Sequence, residues 1–164
     1  MFKKVCIIGC GLIGSSLARA IKKNNLAEKI VSSNRSDAAN KKVIELKIVD
    51  DSSSDTKKMA EGSDLVVIAT PLSSYEDVIS KIKNSLKNGV ILTDVGSVKE
   101  SIISLVEKNI PENISWIPSH PIAGTEESGP EAGFSELFQN RWCILTPSKK
   151  AKEKDINLLQ TFWE

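Results

Sequence analysis

Histidine occurs once in these 164 residues, tyrosine once, and cysteine three times with no Cys-x-x-Cys pair. A zinc site needs three or four His, Cys or carboxylate ligands at set spacing, so this chain is poorly supplied for one, and no metal is expected. The odd cysteine count, with no secretory signal, argues for reduced thiols and a cytoplasmic setting. Cys6, Cys10 and Cys143 read as small core residues. Net charge is equally scarce: 22 Lys and Arg face 21 Asp and Glu, leaving +1. Nucleic-acid binding would require a basic footprint, and none is present. No apolar run approaches the roughly 20 residues of a membrane helix. The apolar start after Lys3 and Lys4 is cut short by Gly9, Gly11, Gly14 and Arg19, so it is not a signal peptide. Internal repeats and low-complexity tracts are also missing. With 40% hydrophobic and 26% charged residues, the chain has the composition and length of one globular domain.

Short apolar runs alternate with helical patterns. Val5 to Ile8 ends in glycines and reads as a buried strand, and Leu12 to Lys23 carries Ile13, Leu17, Ala20 and Ile21 at helical spacing. Further strands are expected at Ile30-Val31, Ile48-Val49, Leu65 to Ala69, Val90 to Leu92, Trp116-Ile117 and Trp142 to Leu145. Helices are expected from Asp37 to about Leu46, around Val78 to Leu86, and from Ser97 to Pro111. This alternation predicts an α/β fold with a doubly wound, mainly parallel sheet. Residues 118 to 140 hold Pro118, Pro121, Gly124, Gly129, Pro130 and Gly133 and form the longest irregular stretch, which in a compact domain is usually functional. The domain is expected over 1–147. Residues 148–164 begin a helix whose Phe162 and Trp163 need covering, which implies a following domain absent from this sequence.

Gly9-Cys10-Gly11-Leu12-Ile13-Gly14 is a G-x-G-x-x-G run placed after a strand and at the opening of a helix. Glycines there let the backbone turn tightly and approach a pyrophosphate. The N–H groups at the helix start, those of Leu12 and Ile13 included, face the anion. An NAD site places an Asp or Glu about 20 residues on, at the end of the second strand. Here that position reads Ser33-Asn34-Arg35-Ser36, with no carboxylate before Asp37. Arg35 suits a 2′-phosphate by charge-assisted hydrogen bonds, and Ser33, Asn34 and Ser36 add neutral donors, so NADP is predicted. Thr70-Pro71 ends the central strand, at the sheet edge that lines such a crevice.

His120 opens the irregular stretch in Pro118-Ser119-His120-Pro121. Oxidising an alcohol by hydride loss requires a base titrating near neutrality, and histidine provides one. Ser97 has two compatible readings, a capping box with Glu100 and a hydroxyl near the substrate. Thr125, Glu126 and Ser128 are candidates for lining or gating the site, and Lys99 reads as an exposed helix residue.

Three blocks, Gly9 to Ala18 (GCGLIGSSLA), Thr93 to Lys99 (TDVGSVK) and His120 to Gly129 (HPIAGTEESG), resemble the N-terminal domain of the prephenate/arogenate (cyclohexadienyl) dehydrogenases of tyrosine biosynthesis. The resemblance spans essentially the whole chain. It implies oxidative decarboxylation of a small-molecule cyclohexadienyl substrate, with His120 taking the ring-hydroxyl proton and Ser97 holding that hydroxyl. NAD-type members carry an acidic residue where Asn34 stands, whereas NADP-type members look like this chain and tend to use arogenate. The family's helical second domain, which dimerises the enzyme and supplies an arginine for the substrate carboxylates, has no counterpart here. The chain alone is therefore expected to bind NADP but to be weakly active or inactive. Two other readings share the nucleotide site: a different NADP-dependent dehydrogenase or reductase, and a non-catalytic NADP-binding module. The first does not predict a histidine in HPIAGTEESG, and the second is set apart by the effect of His120→Ala.

Overall fold

A computed structural model describes all residues 1–164. Its main sheet has six parallel strands in the order β3-β2-β1-β4-β5-β6. The strands are β1 (Phe2–Ile8), β2 (Ala27–Ser33), β3 (Asp51–Ser52), β4 (Leu65–Ile68), β5 (Ile91–Asp94) and β6 (Ser115–Trp116). Alternate residues of the central strands face opposite sides, and both sides are buried. Cys6, Ile8, Val66, Ile68 and Leu92 join one core cluster, while Val5, Ile7, Leu65, Val67 and Ile91 join the other. Continuous apolar runs such as Leu65 to Ile68 are what a parallel sheet covered on both faces requires. The first face is covered through Met59, Ile79, Ile82 and Val106, from helices α3 (Thr56–Ala60), α4 (Tyr75–Ile82) and α5 (Glu100–Asn109). The second is covered through Leu17, Ile21, Val43 and Leu159, from α1 (Leu12–Lys23), α2 (Asp37–Glu45) and α6 (Glu153–Trp163).

The expected doubly wound α/β fold is the fold observed, with local corrections. Ile48 and Val49 are core residues, 1% and 5% exposed, but the third strand lies just after them. Their apolar character reflects burial behind α2 and not ladder pairing. The run Trp142 to Leu145 does not join the main sheet. Strand β8 (Cys143–Leu145) pairs antiparallel with β7 (Ser119–Pro121), placing His120 opposite Ile144. Helix α6 docks on its own domain: Phe162 is 8% exposed and meets Phe2 edge-to-face at 5.7 Å, so the chain itself covers that aromatic. Trp163 packs against Phe138 at 5.6 Å. The polar side of α6 is anchored by a hydrogen bond from Ser115 to the buried carboxylate of Asp155. No helix is long and apolar enough to cross a membrane.

Candidate functional site

Strand order reverses between β1 and β4, and in such sheets a crevice opens beyond the carboxyl ends of the strands at that point. A crevice of about 510 Å³ lies there. Its walls bring together Gly9, Gly11, Ser33, Asn34, Arg35, Ser36, Thr70 and Pro71, residues from three separate loops. Leu12, Ile13 and Gly14 stand behind the wall, in the first turn of α1. Thr56, Asp77, Lys81 and Pro130 also line it. Nothing in their local sequence marks these four, because it is the crossovers that carry them to the crevice.

The three motif glycines do different jobs. Gly9 has φ +95°, and a Cβ there would sit 2.8 Å from the Ala69 carbonyl oxygen. A Cβ on Gly14 would lie 2.1 Å from the Gly9 carbonyl oxygen, so the start of α1 can pack on the turn only without a side chain. A Cβ on Gly11 would meet nothing within 4 Å, because that position faces the open crevice. Helix α1 begins at Gly11 with no side-chain cap, leaving first-turn N–H groups unpartnered at the same spot. Thr70 Oγ1 is buried without a partner. Unmet donors and open space together suit the pyrophosphate of a dinucleotide.

Of the four residues predicted to meet a ribose phosphate, two face inward. The Ser33 hydroxyl pairs with Thr56 Oγ1 at 2.9 Å, and the Asn34 amide is fully engaged within the protein. Ser36 caps α2 by accepting the Ala39 N–H at 3.2 Å, which leaves its own hydroxyl proton available. Arg35 is exposed and takes part in no ion pair. The only free positive charge of the four is therefore Arg35.

At the last residue of β5, a second polar centre forms around Asp94, whose carboxylate is fully buried. It accepts from Lys99 Nζ at 2.7 and 2.8 Å, from the Tyr75 hydroxyl at 2.9 Å, and from the N–H groups of Gly96 at 2.9 Å and Ser119 at 3.2 Å. The carboxylate folds tightly over Gly96, where a Cβ would lie 2.9 Å from Oδ2. Burial pushes the Lys99 amine down, opposed by Asp94, and burial together with Asp94 pushes the Tyr75 phenol up. Ser119 also donates to the Asp94 carbonyl at 2.5 Å. One carboxylate thus ties down the residue before Ser97 and the residue before His120.

Two expectations fail here. Lys99 is not a solvated helix residue: its side chain is 14% exposed and salt-bridged to Asp94. Ser97 does not cap a helix, because α5 starts at Glu100 and Lys99 occupies the capping position. Ser97 instead lies exposed in the β5–α5 loop, while His120 is half-buried in β7. Thr125 lines a neighbouring cavity of about 440 Å³ with Ile122, Leu137 and Arg141, whereas Glu126 is exposed outside it. Arg141 also borders a larger cavity of about 850 Å³ beside Trp142 and Trp163. The loop from 122 to 140 folds back onto α1, where the Phe134 N–H donates to Ser16 Oγ at 3.1 Å.

A family profile described as prephenate dehydrogenase, nucleotide-binding domain, matches residues 17–164. A cyclohexadienyl dehydrogenase of Zymomonas mobilis is 38% identical over the whole chain, which covers 56% of that protein. The crystal structure of prephenate dehydrogenase from Aquifex aeolicus, in complex with hydroxyphenyl propionate and NAD+, superposes with a TM-score of 0.91 at 27% identity, covering 99% of this chain and 57% of that one. A Synechocystis arogenate dehydrogenase gives a TM-score of 0.89 at 26% identity, covering 97% of this chain and 55% of that one. The chain spans little more than half the length of these relatives.

Proposed function

This chain belongs to the prephenate dehydrogenase nucleotide-binding-domain family, and on that premise we propose that it binds NADP and serves the oxidative decarboxylation of arogenate, or of prephenate, in tyrosine biosynthesis. The observation that carries the cofactor choice is the end of β2. Arg35 there is exposed without a carboxylate partner, and position 34 bears a neutral amide. An acidic residue at that point would repel a 2′-phosphate, whereas an unpaired guanidinium attracts it.

When bound, the nicotinamide ring supplies the hydride acceptor. His120 accepts the proton of the ring hydroxyl as that carbon gives up hydride, and Ser97 hydrogen-bonds the same hydroxyl to keep it aligned. Carbon dioxide then leaves with its bonding electrons passing into the ring, and the aromatic product makes the step irreversible. Asp94 acts through its neighbours, fixing the loop of Ser97 and the strand of His120 in relation to each other. Thr125 and Glu126 belong to the loop at the substrate side. In this reading a helical second domain completes the substrate site and makes the homodimer, which operates in the cytoplasm.

The test is NADPH formation with arogenate and prephenate side by side, by this chain and by the chain joined to the C-terminal portion of its family. The joined protein turns over arogenate with NADP, and the 164-residue chain alone does so weakly or not at all. Tight NADP binding by the joined protein with no turnover of either substrate would refute the assignment. His120→Ala separates the enzyme from a non-catalytic NADP module: the enzyme loses turnover and keeps NADP binding.

A further inference from the structure

The turn after β2 is held by a polar knot that its sequence does not advertise. Asn40, in α2, is 5% exposed. Its Oδ1 accepts from the Asn34 N–H at 3.0 Å, from Asn34 Nδ2 at 3.1 Å and from Ser52 Oγ at 2.6 Å. Its Nδ2 donates back to the Asn34 carbonyl at 3.1 Å. Asn34 Oδ1 accepts the Cys10 N–H of the glycine turn at 2.7 Å.

Backbone groups force the sense of both amides, because an N–H can only donate and a carbonyl can only accept. Asn40 must aim its oxygen at the Asn34 N–H and its NH2 at the Asn34 carbonyl. Asn34 must aim its oxygen at the Cys10 N–H, which leaves its own NH2 facing Asn40 Oδ1. Position 34 therefore sits between one fixed donor and two acceptors, Asn40 Oδ1 and, at 3.4 Å, the Ser52 oxygen, whose own proton goes to Asn40 Oδ1. Only an amide, or a neutral acid, satisfies both sides.

We infer that Asn40 is a specificity-determining positioning residue: by holding an acceptor against position 34, it rejects the carboxylate that would read a ribose 2′-hydroxyl. The inference rests on the NADP reading above. A carboxylate at 34 keeps the Cys10 bond but sets its second oxygen against Asn40 Oδ1, a part-buried clash of acceptors. Turning the Asn40 amide over does not relieve it, because Nδ2 would then face the Asn34 N–H and Oδ1 the Asn34 carbonyl. With the Asn34 amide used up inside, recognition of the ribose falls to Arg35 and the free hydroxyl proton of Ser36. The pair at 34 and 40 thus removes the NAD-selecting group, and Arg35 supplies the NADP-selecting one.

The experiment is a double-mutant cycle on the 164-residue chain with Asn34→Asp, Asn40→Ser and both together, read by urea denaturation and by titration with NADP and NAD. Asn34→Asp lowers the denaturation midpoint, and the drop shrinks once Asn40→Ser removes the opposing oxygen. The single Asn34→Asp variant gains less than about threefold in NAD affinity, while the double variant gains about tenfold or more, the scale of one charge-assisted hydrogen bond. If Asn34→Asp alone fails to fold and the double variant folds, the inference is supported; failure of both overturns it. An equal cost of Asn34→Asp in both backgrounds, or a full gain of NAD affinity by Asn34→Asp alone, also overturns it. A wild-type chain that prefers NAD sinks the NADP reading and the specificity claim with it. The stability cycle still decides whether position 34 demands an amide, so the two failures are told apart.

Discussion

Replacing Asp94 by Asn removes the charge from a fully buried carboxylate while keeping its shape. Four groups donate to that carboxylate, and one of them is the ammonium of Lys99, itself only 14% exposed. An amide has one accepting oxygen, so its NH2 must face at least one of these donors. Breaking a buried ion pair from one side costs about 3–5 kcal/mol, and because Lys99 retains some solvent contact the lower end, about 3 kcal/mol, applies here. For a domain of this size that is a fall of roughly 6–12 °C in melting temperature. Lys99→Met leaves Asp94 with three neutral donors and costs less, about 2 kcal/mol. The double variant should be milder than the sum by about 1–2 kcal/mol, since neither charge is then left alone. Differential scanning calorimetry with urea titration of the three variants measures this. In the joined two-domain protein, Asp94→Asn should also reduce kcat, because the Gly96 and Ser119 N–H anchors weaken. Asp94→Asn within about 0.5 kcal/mol of wild type, or strictly additive single variants, would mean that Asp94 and Lys99 are not coupled in this way.

The glycine turn offers a paired contrast. Gly14→Ala drives a methyl to 2.1 Å from the Gly9 carbonyl and should destabilise the domain by about 3 kcal/mol or more, measured by thermal melting. Gly11→Ala meets nothing, so its melting temperature should stay at the wild-type value while calorimetric NADP affinity falls about tenfold as the methyl blocks the crevice. Burial pushes the thiols of Cys6 and Cys10 up to about 12 and that of Cys143 up to about 11. A raised value means less thiolate at a given pH, so Ellman's reagent at pH 8 should label the native chain far more slowly than the urea-unfolded one; equal rates would contradict the packing. Partial burial acts to raise the Asp64 carboxyl, but hydrogen bonds from Lys87 Nζ and the N–H groups of Lys4 and Lys3 outweigh it and hold the carboxyl low. Its stabilisation is present above the unfolded carboxyl's pKa of about 3.9 and is lost as pH falls through the lower native value. Acid titration should accordingly show wild type losing its advantage over Asp64→Asn below about pH 4.

What could be read in the sequence follows from where the constraint lies. Gly9 and Gly14 are legible because only glycine tolerates a positive φ or a carbonyl 2.1 Å from its Cβ position, so the local pattern carries the geometry. The strands at Leu65–Ile68 and Val90 to Leu92 are legible because burial on both faces erases alternation and leaves an apolar run, whereas the continuation of the second through the buried polar Thr93 and Asp94 is not. Ile48 and Val49 mislead because burial without pairing looks the same. Ser97 and Glu100 spell a capping box, yet the loop is shaped instead by Asp94 gripping Gly96 from the strand before it. Lys99 sits at the start of a helix, where solvent is the usual neighbour; its actual partner is five residues earlier, across a turn whose path no periodicity predicts. The Asn34–Asn40 knot is harder still. Two asparagines six residues apart carry no signal until the end of β2 and the start of α2 bring them face to face.

Isothermal titration of the 164-residue chain with NADP and NAD, before and after Arg35→Ala, decides whether the crevice between β1 and β4 selects NADP through Arg35 as proposed. NADP should bind tighter than NAD by about tenfold or more, the scale of one charge-assisted contact, with near-equal affinities once Arg35 is removed. Tighter binding of NAD by the wild-type chain, or an NADP preference that survives Arg35→Ala, would contradict the proposal.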